Sequence, residues 1–280
     1  MKGLLDRPWV LSLLLFALFV TAWHLATSGG AAVQSAADTE YAKLMGQATG
    51  GKSQSAMPSP WQVVLRGTEL LTHAFDRNGS NDLGIGWHLL HSLARVLGGF
   101  AIAVAVAVPL GFAIGLMPKL YAALNPFIQV LKPVSPLAWM PLALYTLKDS
   151  GASAIFMIFI CSVWPLLINT AFGVSAVRQD WLNVSRVLGL NVSTRIRHIV
   201  FPAAVPMIFT GMRISIGTAW FVIVAAEMVV GQSGIGYFIW NEWNNLQIAS
   251  MITAILIIGL VGLGLDVLLV QMTRRLAFQE

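Results

Sequence analysis

No charged side chain lies between Arg7 and Asp38, none from Val96 to Pro118, and none from Ser150 to Val177. Each run is long enough to hold the roughly 20 apolar residues that a helix needs to cross a bilayer. The balance of the whole chain agrees, with 57% hydrophobic and 10% charged residues and a mean hydropathy of +0.75. Average globular chains are about a quarter charged. A soluble fold of 280 residues would lack the polar surface to cover itself, so the excess apolar surface faces lipid. Only helices and closed barrels satisfy the backbone there, and long uncharged runs are helical. The expected class is an all-α polytopic membrane protein.

Six spans are expected: Trp9–Ala26, Leu89–Met117, a proline-kinked third over Pro133–Leu147, Ser150–Val177, Ala203–Val229 and residues 248–265. A secretory signal shares the Lys2 and Arg7 that precede the first run, but the expectation is a retained helix over 1–27. Residues 28–85 read as an outer loop, with an Ala/Ser/Gly/Gln-rich linker over 28–60. Within that loop, Trp61–Phe75 forms an interfacial helix and Asn78-Gly79-Ser80 a turn. Residues 86–276 form the main membrane domain and 277–280 a short tail. With both termini inside, ten Lys/Arg fall on inner segments and six on outer ones, as the positive-inside rule requires. The net charge of +5 is thus a record of orientation, not of nucleic-acid binding.

Chemistry-bearing residues are sparse. Gly46–Ser53 matches the phosphate-loop pattern G-x-x-x-x-G-K-S in letters. That loop works between a buried strand and a long helix. Here no strand precedes it, and Pro58 stops any helix soon after, so the match is a low-complexity coincidence. His88 and His91 share a helix face without a third ligand and read as interfacial histidines. The lone Cys161 excludes an intrachain disulfide. No metal or cofactor is expected on this chain, and it is not expected to be an enzyme. Gly111-x-x-x-Gly115 allows close helix packing. Arg213 and Glu227 are ionisable residues inside the fifth span, about 21 Å apart along one helix, so they cannot pair within it. Intramembrane charges are functional candidates. Arg213 lines an anion path or pairs with a neighbouring helix, and Glu227 lies near the outer edge. Asp266, near the inner end of the sixth span, reads as a packing or interfacial group.

The inner loop 178–201 carries four arginines. It reads as two short helices, Asp180–Leu188 and Val192–Ile199, turned at Gly189 and Asn191, which tolerate left-handed backbone. Pro202 and Pro206 then start the fifth span. An ordered helix-turn-helix between two spans implies a partner, and its arginines suit an acidic one.

Asn183–Pro202 resembles the cytoplasmic signature of binding-protein-dependent ABC transporter permeases, an acidic-Ala-Ala start, a glycine, then I-x-L-P. Gly189 stands at the glycine, and Ile199, Phe201 and Pro202 stand at the I, L and P. Asn183-Val184-Ser185 replaces the start of the signature, and Phe201 its leucine. The segments SLARVLGGF, PLAWMPLALYTLKDSGASAIFMIF, GMRISIGTAWFVIVAAEM and GIGYFIWNEWN are similar to the nitrate/cyanate/bicarbonate and taurine branch, nearest its nitrate type.

The resemblance implies a type I, MetI-like permease fold in a bacterial inner membrane, with import of a small anion such as nitrate, nitrite, cyanate or bicarbonate. A taurine or sulfonate permease is the alternative, followed by a secondary transporter or channel. It also implies cytoplasmic ATPase subunits that hold ATP and Mg, a periplasmic substrate-binding protein and a second permease copy. Arg186, Gly189, Ile199 and Pro202 are then the marked ATPase-docking positions of the coupling loop.

Overall fold

In the computed structural model, residues 8–28, 57–77 and 83–276 are described. The linker over 28–60, the phosphate-loop match and the Asn78-Gly79-Ser80 turn fall wholly or mostly outside them. Among the described residues there is no named strand, only an isolated bridge between Arg77 and Leu83. The helices are α1 (Pro8–Ser28), α2 (Pro60–Thr72), α3 (Ile85–Leu116), α4 (Pro118–Leu131), α5 (Met140–Leu147) and α6 (Ser150–Ser175). After these come α7 (Gln179–Val187), α8 (Val192–Val230), α9 (Ile235–Asn244) and α10 (Ile248–Leu276).

The chain divides into two compact units, Met1–His73 with Glu242–Thr253, and Ala74–Asn241 with Ala254–Glu280. In the first, Ser59 caps α2: its hydroxyl accepts from Gln62 N, and the Gln62 side chain accepts from Ser59 N. That reciprocal capping box satisfies two donors that a helix start otherwise leaves open. Helix α2 is tied to the first two turns of α10 by Arg66 Nε donating to Ser250 Oγ at 2.9 Å and Thr253 Oγ1 donating to Val63 O at 3.3 Å.

The second unit is built on α6, which packs against both α3 and α8. Lipid offers no hydrophobic drive to join helices, so close van der Waals packing through small residues must do it. Helix α3 supplies Gly99, Ala103, Ala107, Gly111 and Gly115 at four-residue spacing. A Cβ at Gly111 would lie 2.6 Å from Thr170 Cβ, and one at Gly115 would lie 2.7 Å from Ala171 O. Helix α8 meets α6 in the same manner: a Cβ at Gly211 would lie 2.9 Å from Asn169 Cβ. Larger apolar side chains fill the space between the seams, Ile158, Leu166, Ile216 and Ile223 among them. Gly111→Val is therefore expected to overpack the α3–α6 seam, costing about 1–3 kcal/mol and lowering the thermal midpoint of the purified protein. An unchanged midpoint would refute that close approach.

Two expectations need correction. The third span is not one kinked helix. Pro118–Leu131 and Pro136–Leu147 meet at 85°, because Lys132–Ser135 breaks the chain ahead of a 3₁₀ turn at Pro136–Trp139. Helix α5 has eight residues, about 12 Å at 1.5 Å per residue, too short to cross alone. Among the described residues, five helices are long and apolar enough to span, or six if the bent pair counts as one.

The second correction concerns the fifth span, which begins at Val192 instead of after the loop. Val192–Arg195 opens it and Ile196–Val200 is a π turn, in which Phe201 N reaches back to Ile196 O. Proline lacks the N–H and crowds the preceding turn. A widened turn directly ahead of Pro202 accommodates both defects without ending the helix.

Candidate functional site

The loop that leaves α6 holds one short helix, α7, not two. Asp180 in its first turn and Arg186 in its last match the helix dipole. Its C-terminus is a complete Schellman motif: Leu190 N donates to Ser185 O at 3.1 Å and Gly189 N donates to Arg186 O at 3.0 Å. Gly189 has φ +64°, the left-handed conformation expected of it. Asn191 does not share that role. It is extended at φ −66°, ψ 161°, and its side chain accepts from Thr194 N at 2.8 Å, capping α8.

The four marked docking positions divide by surroundings. Arg186 is exposed and donates to Asn183 Oδ1 at 3.1 Å. Gly189 forms the turn. Ile199 packs inward against the cluster of Val174, Val177, Val200, Ala204 and Ile208, and Pro202 sits on the α8 stem beside it. Sequence reasoning missed the apolar face. Val184, Val187 and Leu188 are 57%, 88% and 67% exposed, with Val192 beside them at 60%. Apolar residues at i, i+3 and i+4 normally mark a buried helix face, and here they point outward beside Arg178 and Arg186. That periodicity within a charged loop was the available signal.

The two intramembrane candidates are not brought together; each has another partner. Arg213 pairs with Asp266 of α10 through Nε and Nη2, the latter at 2.8 Å from Oδ2. Glu227 is 1% exposed. Its Oε1 accepts from Arg95 Nη1 at 2.8 Å, and its Oε2 accepts from Ser92 Oγ at 2.7 Å and Gly236 N at 3.2 Å. Arg95, one of the six outer charges although it falls in the expected Leu89–Met117 span, lies within α3 and also donates from Nη2 to Ser233 Oγ at 2.8 Å.

His88 is buried within the protein, 3% exposed. Its Nδ1 accepts from Gly234 N at 3.1 Å, while Ser92 Oγ accepts from Ile235 N at 2.8 Å. Consecutive amides at the start of α9, on Gly234, Ile235 and Gly236, are thus satisfied by His88, Ser92 and Glu227. A helix start leaves such donors open, and this clasp closes them with side chains from α3 and α8. The signal was His88, Ser92 and Arg95 at helical spacing on one face of α3. Among the described residues, no group of three or more His, Cys, Asp or Glu could hold a metal.

Comparison with known proteins places this geometry. Residues 107–278 match the family model described as binding-protein-dependent transport system inner membrane component. The chain is 49% identical to a nitrate import permease protein of Synechocystis sp., over 76% of this chain and 77% of that one. It is 44% identical to a bicarbonate transport system permease protein of Synechococcus elongatus, over 75% of this chain and 77% of that one. The membrane subunit fold of an inward-facing methionine ABC transporter, MetNI, superposes with a TM-score of 0.58 at 14% identity, covering 67% of this chain and 93% of that one. A loop helix ended by a Schellman glycine, carried between close-packed spans, is thus set in a sequence matched across both: the chain belongs to the family of inner membrane components of binding-protein-dependent transport systems.

Proposed function

We propose that this chain is the permease subunit of an ATP-driven importer for a small oxyanion of the nitrate and bicarbonate class, with nitrate the first substrate to test. The relatives named for nitrate and for bicarbonate support that class. The observation that carries the coupling role is the outward apolar face of α7. Val184, Val187 and Leu188 would be solvated without purpose unless another protein covers them. Cytoplasmic ATPase subunits are the proposed occupants, with Arg186 contacting them and Gly189, Ile199 and Pro202 holding the shape. ATP and Mg belong to those subunits. A periplasmic binding protein delivers the anion, and a second copy of this chain completes the path. The loop and both termini are proposed to be cytoplasmic. Of the two pathway candidates, Arg213 lies on an exposed face, while Glu227 shapes one end of the path by anchoring α9.

The test is to place a charge on the apolar face. Val187→Asp is expected to weaken capture of the ATPase subunit by about 2 kcal/mol, roughly thirtyfold, and to abolish ATP-driven nitrate uptake. Membrane insertion and yield should remain those of the wild type, since Val187 is 88% exposed. Full ATPase co-purification with Val187→Asp and with Leu188→Asp would refute the docking surface.

A further inference from the structure

The Arg213–Asp266 bridge lies where a charge is most expensive. Arg213 is twelve residues into the Phe201–Val230 part of α8, and Asp266 is eight residues before Arg274. At 1.5 Å per residue, Arg213 stands roughly 18 Å beyond Phe201 and Asp266 roughly 12 Å before Arg274. That depth is inside a hydrocarbon core about 30 Å thick. Their side chains are nevertheless 54% and 39% exposed. Charged groups at such depth face water-filled cavities or protein, not acyl chains. The face that carries them therefore borders something other than lipid in the assembled transporter.

The rest of that face mixes small and large side chains. Thr210, Gly217 and Thr218 are exposed alongside Arg213 on α8, and a Cβ at Gly217 would meet nothing within 4 Å. On α10, Gly259, two turns before Asp266 on the same side, is equally open. Ile214 and Phe221 are also exposed on α8, and Leu260, Leu263 and Val267 on α10, so the small residues open room for a solute beside the arginine within an otherwise apolar face.

Asp266 engages Arg213 through Nε and one Nη2 hydrogen. A guanidinium carries five N–H groups, so both Nη1 hydrogens and one on Nη2 remain. That free edge is a planar fork matched to two oxygens of a flat oxyanion. The carboxylate fixes the fork and also offsets much of its charge, so an arriving anion is held weakly. Weak holding is what permeation requires, since a site must fill and then empty.

We propose that Arg213, oriented and tempered by Asp266, is the transient binding site for the permeating oxyanion on the α8–α10 face. This rests on the anion-import reading above. The complete complex, with its ATPase and binding-protein partners in proteoliposomes, is supplied with saturating nitrate-loaded binding protein, and uptake and ATPase rates are measured together. Arg213→Gln is expected to cut nitrate uptake at least tenfold while ATPase activity stays within twofold. Arg213→Lys, which keeps the charge and the bridge but not the fork, serves if the glutamine variant fails to assemble, and is expected to cut uptake at least threefold. Asp266→Asn should act in the opposite sense on binding. Nitrate preloaded on the product side should half-inhibit uptake at a concentration at least threefold below the wild-type value.

A merely structural bridge would shift neither inhibition nor the ratio of uptake to ATP hydrolysis. Wild-type uptake in both Arg213 variants, or unchanged inhibition in Asp266→Asn, would overturn the site. So would full recovery in the charge-swapped Arg213→Asp/Asp266→Arg protein. A wild-type complex that imports neither nitrate nor bicarbonate overturns the anion-import reading, and this site with it. An active wild type with unaffected variants overturns this site alone.

Discussion

Arg95→Met is expected to destabilise the permease more than any surface change, because it strands the Glu227 carboxylate, 1% exposed, without its counter-charge. Removing one partner of a buried pair costs about 3–5 kcal/mol, whereas neutralising both can be nearly free. The same substitution deletes the Arg95 contacts to Ser233 Oγ and to the Ser233 carbonyl. An apparent melting temperature lower by on the order of 10 °C is expected for the purified protein. Arg95→Met/Glu227→Gln separates charge from hydrogen bonding. Its neutral amide oxygen still accepts from Ser92 or from Gly236 N, so most of the lost stability should return. A double variant no better than Arg95→Met would show that the Ser233 contacts, not the ion pair, hold the clasp. A single variant as stable as wild type would refute the clasp itself.

What the sequence made legible follows from how locally each feature is encoded. The long spans could be read because an uncharged run needs no partner to be recognised. Gly189 could be read because its left-handed backbone follows from a glycine placed just after a helix. The clasp could not, because His88 and Gly234 are 146 residues apart, as are Ser92 and Glu227 at 135. Pairing at that distance is decided by packing, and no local pattern around His88, Ser92 or Arg95 announces the partner. The third span failed for a different reason. Prolines at 133, 136 and 141 announce a break, but its angle, 85°, depends on what the flanking helices pack against. The π turn before Pro202 was likewise hidden: the proline signalled the start of a helix, and the structure absorbed it within one.

Gly189→Val is expected to uncouple transport without affecting insertion. No atom stands within 4 Å of a Cβ built at this position, so the substitution is sterically open and its cost lies in the backbone alone. At φ +64° an L side chain with a branched β-carbon costs about 1–2 kcal/mol or more. The chain can relieve that strain by leaving the left-handed region, but only by giving up the bonds from Leu190 N and Gly189 N that end α7. The last turn of α7 carries Val184, Val187 and Leu188, so its loss disperses the apolar face that the ATPase subunits are proposed to grip. ATP-driven nitrate uptake should fall at least tenfold, by an estimate of about 1.4 kcal/mol per factor of ten, while the amount of permease in the membrane is unchanged. The series Gly189→Asn, Gly189→Ala, Gly189→Val orders the test, since asparagine enters the left-handed region most readily and a β-branched residue least. Uptake should decline in that order. Equal loss in all three would place the effect outside the backbone, and wild-type uptake in Gly189→Val would remove the loop from the coupling path.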